Sequence, residues 1–283
     1  MHWQTARFQL DTTRPLVMGI VNITPDSFSD GGRHASTREA VAHCERLLRE
    51  GADILDLGGE SSRPGTSPVP LDEELARLLP VVREAVRLGV PVSVDTYKPA
   101  VMQQALDLGA DIVNDIWALR QSGAREVIAA HPNCGVCLMH MHGEPQTMQR
   151  TPMVGQAVPQ VAAFLAQQTA LLREAGVAAA RIAWDVGIGF GKTVVQNFEL
   201  LAGQQALLSA GYPLLAAWSR KSSLGAVTGE PVDGRLAASV AAAVLAVERG
   251  ARIVRVHDVR ETVDAMKIWA ATLDPAAIKE SKT

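Results

Sequence analysis

Asp95, Asn114 and Asp185 each stand at or near the end of a short apolar run, as do Asn22 and His257. A carboxylate accepts two hydrogen bonds side by side, and an amide both gives and accepts them. Such groups converging on one cavity suit a ring that carries adjacent N–H donors. Taken singly, each could be a helix N-cap; the convergence carries the reading. Arg255 and His257 are two residues apart, so an extended strand points both to one side. An arginine and a histidine aimed together suggest phosphate, the alternative being a simple Arg255–Asp258 ion pair. Ser219-Arg220-Lys221-Ser222-Ser223 precedes a short apolar helix at Leu224–Val227. Hydroxyls and backbone N–H groups at a helix start, beside a lysine, suit an anion such as carboxylate. An ordinary cap with a solvated Arg–Lys pair is the plainer alternative.

Three other motifs point less far. Asp185–Thr193 is glycine-rich, but too few residues separate Gly187 from Gly191-Lys192-Thr193 for a Walker loop. Its glycines instead let backbone approach a planar ligand, with Phe190 as a stacking face and Lys192 as a solvated helix start. Cys134-Gly-Val-Cys137 runs into a strand rather than opening a helix, which disfavours redox chemistry. His140 and His142 would share a side if their strand continued, yet only His257 stands at another strand tip to complete a transition-metal shell.

Positioning these residues requires eight strands. The apolar runs cover 18–22, 54–58, 92–95, 112–115, 136–140, 182–185, 214–219 and 253–257. Helical periodicity fills Thr37–Glu50, Asp72–Leu88, Pro99–Leu108, Ala124–Ala130, Pro159–Ala175, Asn197–Ala210, Gly234–Arg249 and Arg260–Leu273. Alternating strand and helix implies parallel strands joined by helical crossovers. A Gly-Ala-X-Ile pattern at Gly51, Gly109 and Gly250 repeats the helix-to-strand turn. Eight units without a pause predict one (β/α)₈ TIM barrel in a single α/β domain, 1–283, core about 15–273. An open doubly wound sheet is the alternative. Two connections are long, Ile23–Ser36 after the first strand and Glu60–Leu71 after the second, and both read as lids.

Bulk properties narrow the partners. A net charge of −3 without a Lys/Arg cluster gives nucleic acid no electrostatic support. No apolar stretch reaches membrane-spanning length, and the N-terminus lacks the pattern of a signal peptide. Three sparse cysteines suit a reducing compartment, so a cytoplasmic protein is expected.

The first long loop reads Asn22-Ile-Thr-Pro-Asp-Ser-Phe-Ser-Asp-Gly-Gly32. With Gly58–Gly65, Ser93–Lys98, Asn114-Asp115, Met139–Gly143, Asp185–Lys192, Ser219–Ser222 and Arg255–His257, it closely resembles the dihydropteroate synthases among pterin-binding enzymes. The likeness runs in order from about Val17 to the last helix. It implies condensation of 6-hydroxymethyl-7,8-dihydropterin pyrophosphate with p-aminobenzoate, giving 7,8-dihydropteroate and pyrophosphate. It also implies sulfonamide competition for the aminobenzoate site, and a homodimer.

By the same resemblance, Asp95, Asn114, Asp185 and Lys221 bind the dihydropterin. Asn22, Arg255 and His257 hold the pyrophosphate, Asn22 helping to bind Mg²⁺. Phe28, Ser62, Arg63, Pro64 and Phe190 shape the aminobenzoate pocket, and Ser222 takes its carboxylate. Asp95, Asp185, Lys221, Arg255 and His257 form the catalytic set. Three positions depart from the family pattern: Val186 for a frequent proline, Ala217-Trp218 for a glycine-containing approach, and Ser62 for threonine. Trp218 is expected to narrow the pterin-pocket floor. A corrinoid-dependent pterin methyltransferase would not need the Asn22–Gly32 lid or Ser219–Ser222. A non-catalytic pterin binder should have lost Asn22, Arg255 and His257.

Overall fold

The computed structural model describes residues 2–23, 32–61 and 65–277. Parallel strands β3 (Leu16–Asn22), β4 (Ile54–Gly58), β5 (Val92–Asp95), β6 (Ile112–Asp115), β7 (Gly135–Met139), β8 (Ile182–Asp185), β9 (Leu214–Ala216) and β10 (Ala251–Val256) close a barrel, β10 pairing with β3. Helices α1 (Gly32–Arg49), α2 (Leu71–Ala85), α3 (Pro99–Asp107), α4 (Ala124–Ala130), α5 (Ala157–Glu174), α6 (Val194–Ala202), α7 (Ser222–Thr228), α8 (Leu236–Glu248) and α9 (Val259–Leu273) make the crossovers. The expected TIM barrel is the fold observed.

The strands read as near-continuous apolar runs because both of their faces are buried. Their outward side chains pack under the helices in two clusters, one including Val136, Leu138 and Trp184, the other Leu55, Leu57 and Val94. Inward side chains fill the barrel floor with Met18, Ile54, Ile112, Cys137, Ala183, Leu215 and Ile253. Gly51, Gly109 and Gly250 close their helices at φ of 102°, 98° and 97°, the left-handed turn that their repeat predicted.

Several boundaries move for local reasons. Helix α5 starts at Ala157 and carries Pro159 in its first turn, where no N–H is needed. The expected 197–210 helix breaks at Gly203 into α6 and a 3₁₀ segment, Gln204–Ala210. Strand β9 ends at Ala216, not 219, because its neighbour β8 ends at Asp185, paired with Leu215. The first long loop is shorter than expected, since α1 begins at Gly32.

One element went unforeseen. Strands β1 (His2–Gln4) and β2 (Gln9–Asp11) form an antiparallel hairpin with Trp3 opposite Leu10. Trp3 is fully buried in the floor cluster and donates its indole N–H to the Arg181 carbonyl at 2.9 Å. Arg7, in the hairpin turn, pairs with buried Asp111 at 2.6 Å. The hairpin closes the end of the barrel opposite the strand tips.

Candidate active site

Register decides which tips meet. Gly58 lies beside Asp95, Asp95 beside Asn114, and Asn114 beside Cys137, all on inward-facing positions. Asp185 ends β8 and accepts the Gly187 N–H at 2.7 Å. Burial raises its pKa, while that N–H, Lys221 and Arg255 pull it down. Burial pushes the Asp95 carboxyl up to about 7, Arg255 opposing and Asp56, Asp115 and Glu74 adding to the rise. The Cys137 thiol beneath the rim reports the convergence. Burial drives its pKa far up, and Asp185, Asp56, Arg255 and Asp95 all act on that one sulfur.

Lys221 is the cap position just before α7, and its ammonium lies 4.4 Å from the centre of the Phe190 ring, a cation–π contact. Arg220, immediately before it, adopts a left-handed φ of 58° and pairs with Asp258 at 2.5 Å. That strained residue turns the chain between β9 and α7. The neighbouring serines differ: Ser222 is exposed on the first turn, whereas buried Ser223 bonds Asn197 at 2.9 Å. Asn197 in turn accepts the Gly189 N–H at 2.9 Å, linking the β8–α6 loop to α7.

Asn22 and His257 border one cleft of about 470 Å³ together with Arg220, Arg46, Glu39 and His43. His257 is fixed through Ser219, whose hydroxyl lies 2.9 Å from Nδ1 and accepts the His257 backbone N–H at 3.1 Å. Arg255 sits deeper. Its Nε donates to Asp56 and its Nη2 to Asp95, both at 2.5 Å. The expected alternative partner, Asp258, is taken by Arg220.

Phe28, Ser62, Arg63 and Pro64 lie outside the described residues. Met139, Met141, Met148, Ile116 and Phe190 form an apolar cluster backed by Tyr97 and Trp117. Lys98 ties both stems of the second loop, reaching Glu60 at 2.5 Å, Glu74 at 2.6 Å and the Val69 carbonyl at 2.6 Å.

Lys192 is not a solvated helix start. It is 2% exposed, and its ammonium donates to the carbonyls of Gly187, Phe190 and His140 at 2.8, 3.1 and 3.2 Å. Burial draws its pKa down to about 7, with Asp185 opposing. Three carbonyls match the three N–H bonds of the charged form. His140 and His142 do not share a side either. The strand stops at Met139; buried His140 packs edge-on against Phe164 with a pKa lowered to about 3, chiefly by burial, and His142 is exposed. The expectation for Trp218 is corrected as well. It packs in the cluster under the helices, its ring 5.3 Å from that of Phe198 and tilted by 40°, while Ala217 is the residue against the floor cluster.

Asp56 was missed by reading only the ends of the apolar runs. The signal was present: one charge in the middle of Ile54-Leu-Asp-Leu-Gly58. The residue is fully buried on the inner face, and Asn114 Nδ2 also donates to it at 3.3 Å.

The model for the family described as pterin binding enzyme matches residues 18–257. A dihydropteroate synthase from Neisseria meningitidis serogroup C is 49% identical over 273 residues, covering 95% of this chain and 96% of the relative. The crystal structure of Burkholderia cenocepacia dihydropteroate synthase, complexed with 7,8-dihydropteroate, has a TM-score of 0.89 and 53% identity, covering 97% of each chain. The Yersinia pestis dihydropteroate synthase with a sulfonamide drug complex gives a TM-score of 0.91 at 43% identity, over 96% and 99% of the two chains.

Proposed function

The chain belongs to the dihydropteroate synthases, a branch of the pterin-binding enzymes, and on that footing we propose how its rim divides the reaction. The reaction condenses 6-hydroxymethyl-7,8-dihydropterin pyrophosphate with p-aminobenzoate, yielding 7,8-dihydropteroate and pyrophosphate for folate. The observation that carries the proposal is the convergence of Asp95, Asn114 and Asp185 on one inner rim. Asp185 and Asp95 accept N–H bonds from the pterin edge, Asn114 meets a ring nitrogen, and Lys221 donates to the carbonyl side. Phe190, held under the Lys221 ammonium, offers a ring face to the aminobenzoate. Ser222, exposed at the start of α7, receives its carboxylate. The sulfonamide-bound relative supports the same pocket as a sulfonamide site here.

The aniline nitrogen is unprotonated at neutral pH, so the demanding event is departure of pyrophosphate. The methylene C–O bond breaks and its electron pair leaves with the pyrophosphate. The electron-rich dihydropterin shares the resulting positive charge, with Asp95 and Asp185 nearby. The aniline lone pair then forms the C–N bond, and its proton passes to solvent or pyrophosphate. His257 and Arg255 oppose the charge building on the leaving group. Dissociation thus precedes attack. Rapid-quench kinetics in which no pterin–pyrophosphate bond cleaves until aminobenzoate binds would reverse that order.

The donor set also fits Mg²⁺. Among the described residues no cluster of three His, Cys, Asp or Glu could cage a metal unaided. Magnesium instead keeps waters and takes one or two protein donors alongside phosphate oxygens. Asn22, which lines the same cleft as Glu39, would steady such an ion on the pyrophosphate. Bound there, it would neutralise leaving-group charge. Loss of the Mg²⁺ dependence of pyrophosphate binding in Asn22→Ala, followed by calorimetry, is the expected result.

Two broader readings follow the likeness. A homodimer is supported by an apolar groove between α8 and α9 lined by Leu245, Ile268 and Trp269, the first two exposed. Light scattering at the mass of one chain would refute it. A cytoplasmic location is supported by three unpaired, buried cysteines, and cell fractionation tests it. No helix among the described residues is long and apolar enough to cross a membrane. The activity itself is checked by following pyrophosphate release from the dihydropterin substrate with and without p-aminobenzoate. Release should depend on the aminobenzoate for turnover; release indifferent to it at every stage defeats the assignment.

A further inference from the structure

We propose that Asp56 is a positioning residue for the pterin site, a single carboxylate that orients both the Asn114 amide and the Arg255 guanidinium. This rests on the reading that Asp95 and Asn114 bind the dihydropterin.

A fully buried charge is costly unless it is paired, so the identity of its partners reveals its purpose. Two other buried aspartates, Asp111 and Asp115, serve the fold. Asp111 accepts backbone N–H groups of Arg7 and Val92, and Asp115 those of Trp117 and Leu119. Asp56 differs. Its Oδ2 accepts from Arg255 Nε at 2.5 Å and from Asn114 Nδ2 at 3.3 Å, and Oδ1 has no partner among the described residues. Ser93, its register neighbour on β5, likewise leaves its hydroxyl unpartnered rather than competing. Both bonds from Asp56 therefore go to side chains of the site.

Each bond has a consequence. Because Asn114 gives an N–H to Asp56, the network assigns its amide orientation and leaves the carbonyl oxygen as acceptor toward a substrate N–H. Because Arg255 is held by Nε, its Nη2 is delivered to Asp95 at 2.5 Å. Arg255 comes from β10 and reaches past β3 and β4 to do so. Four charged groups act on Asp95: Arg255 from β10, Asp56 from β4, Asp115 from β6 and Glu74 from α2. Asp56 raises its pKa and Arg255 lowers it. Neutralising Asp56 removes a like charge and releases Arg255 wholly to Asp95, and both changes favour the Asp95 carboxylate.

The test is Asp56→Asn, which keeps the side-chain shape, with affinity for dihydropterin pyrophosphate measured by calorimetry between pH 5 and 9. The acid limb of binding should move to lower pH by about half a unit or more. Affinity at pH 8 should fall about fivefold or more, and the loss should shrink but not vanish in an Arg255→Gln background, where only the orientation of Asn114 is still lost. Asp56→Ser carries the same readouts if the amide variant does not fold. An unmoved limb, or a loss that simply adds to that of Arg255→Gln, overturns the proposal, because lost packing alone gives that pattern. Asp95→Asn and Asn114→Ala are run alongside. If they lose binding while the Asp56 limb stays unmoved, only the positioning role fails. If both bind normally, the pterin-site reading fails and this inference with it.

Discussion

Asp95 carries its charge against its surroundings, and that cost is measurable. Burial lifts its carboxyl to about 7 despite Arg255, whereas the same group in an unfolded chain titrates near 3.8. Between those values the folded protein holds more protons than the unfolded chain, so stability falls as pH rises through the window. Above about 7 the full penalty is present. Asp95→Asn should therefore raise the Tm at pH 8, a gain that shrinks toward pH 4. Calorimetric melts at pH 8, 6 and 4 check this; an equal gain at all three would assign it to something other than charge. The same variant should lose pterin binding, a stability penalty retained for function.

Between residue and barrel lies the β8–α6 loop, whose backbone runs against the exit of β7. A Cβ on Gly187, at φ 67°, would lie 1.9 Å from the His140 carbonyl oxygen, and one on Gly191 would lie 2.1 Å from that of His142. Lys192 fastens the two segments from within, one ammonium spanning carbonyls of both. The loop also fixes Asp185 through the Gly187 N–H and presents Phe190. Gly187→Ala should thus cost about 3 kcal/mol or more and weaken pterin binding together with stability. Gly189→Ala meets only the flexible Lys221 side chain at 3.4 Å, and its φ of 82° should cost about 1 kcal/mol. Urea denaturation of the two variants side by side separates these outcomes; equal losses would contradict the close-approach account.

Across the whole molecule the two ends of the barrel divide the work. Polar groups gather at the strand tips, and the opposite end is closed by the N-terminal hairpin with Trp3 in the floor. Conservation of geometry at the rim does not depend on the indole directly. Trp3→Ala should accordingly destabilise by about 3–5 kcal/mol, while kcat/KM of the folded enzyme stays within about twofold. Thermal melts and steady-state kinetics on one preparation check both halves. A large fall in kcat/KM with an intact Tm would mean that the floor reaches the site.

Local pattern alone laid out the eight β/α units, while closure of the sheet was seen only in the structure. Apolar runs, helical periodicity and the repeated glycine turn specify eight β/α units, and alternation along β10 puts Arg255 and His257 on one side. Polar residues at strand tips likewise mark the rim, because a buried strand otherwise has no use for them. Partnership was a different matter. Asp258 is three residues from Arg255, yet the guanidinium pairs with Asp56, 199 residues away, since barrel closure brings β10 beside β3 and within reach of β4. Lys192 looked like a surface lysine until two loops from different strands surrounded it with carbonyls. The hairpin was similarly opaque: three-residue strands carry little periodicity, and Trp3 finds its place only against a floor built by the rest of the chain. Spacing sets which way a side chain faces; only the closed barrel sets what it meets there.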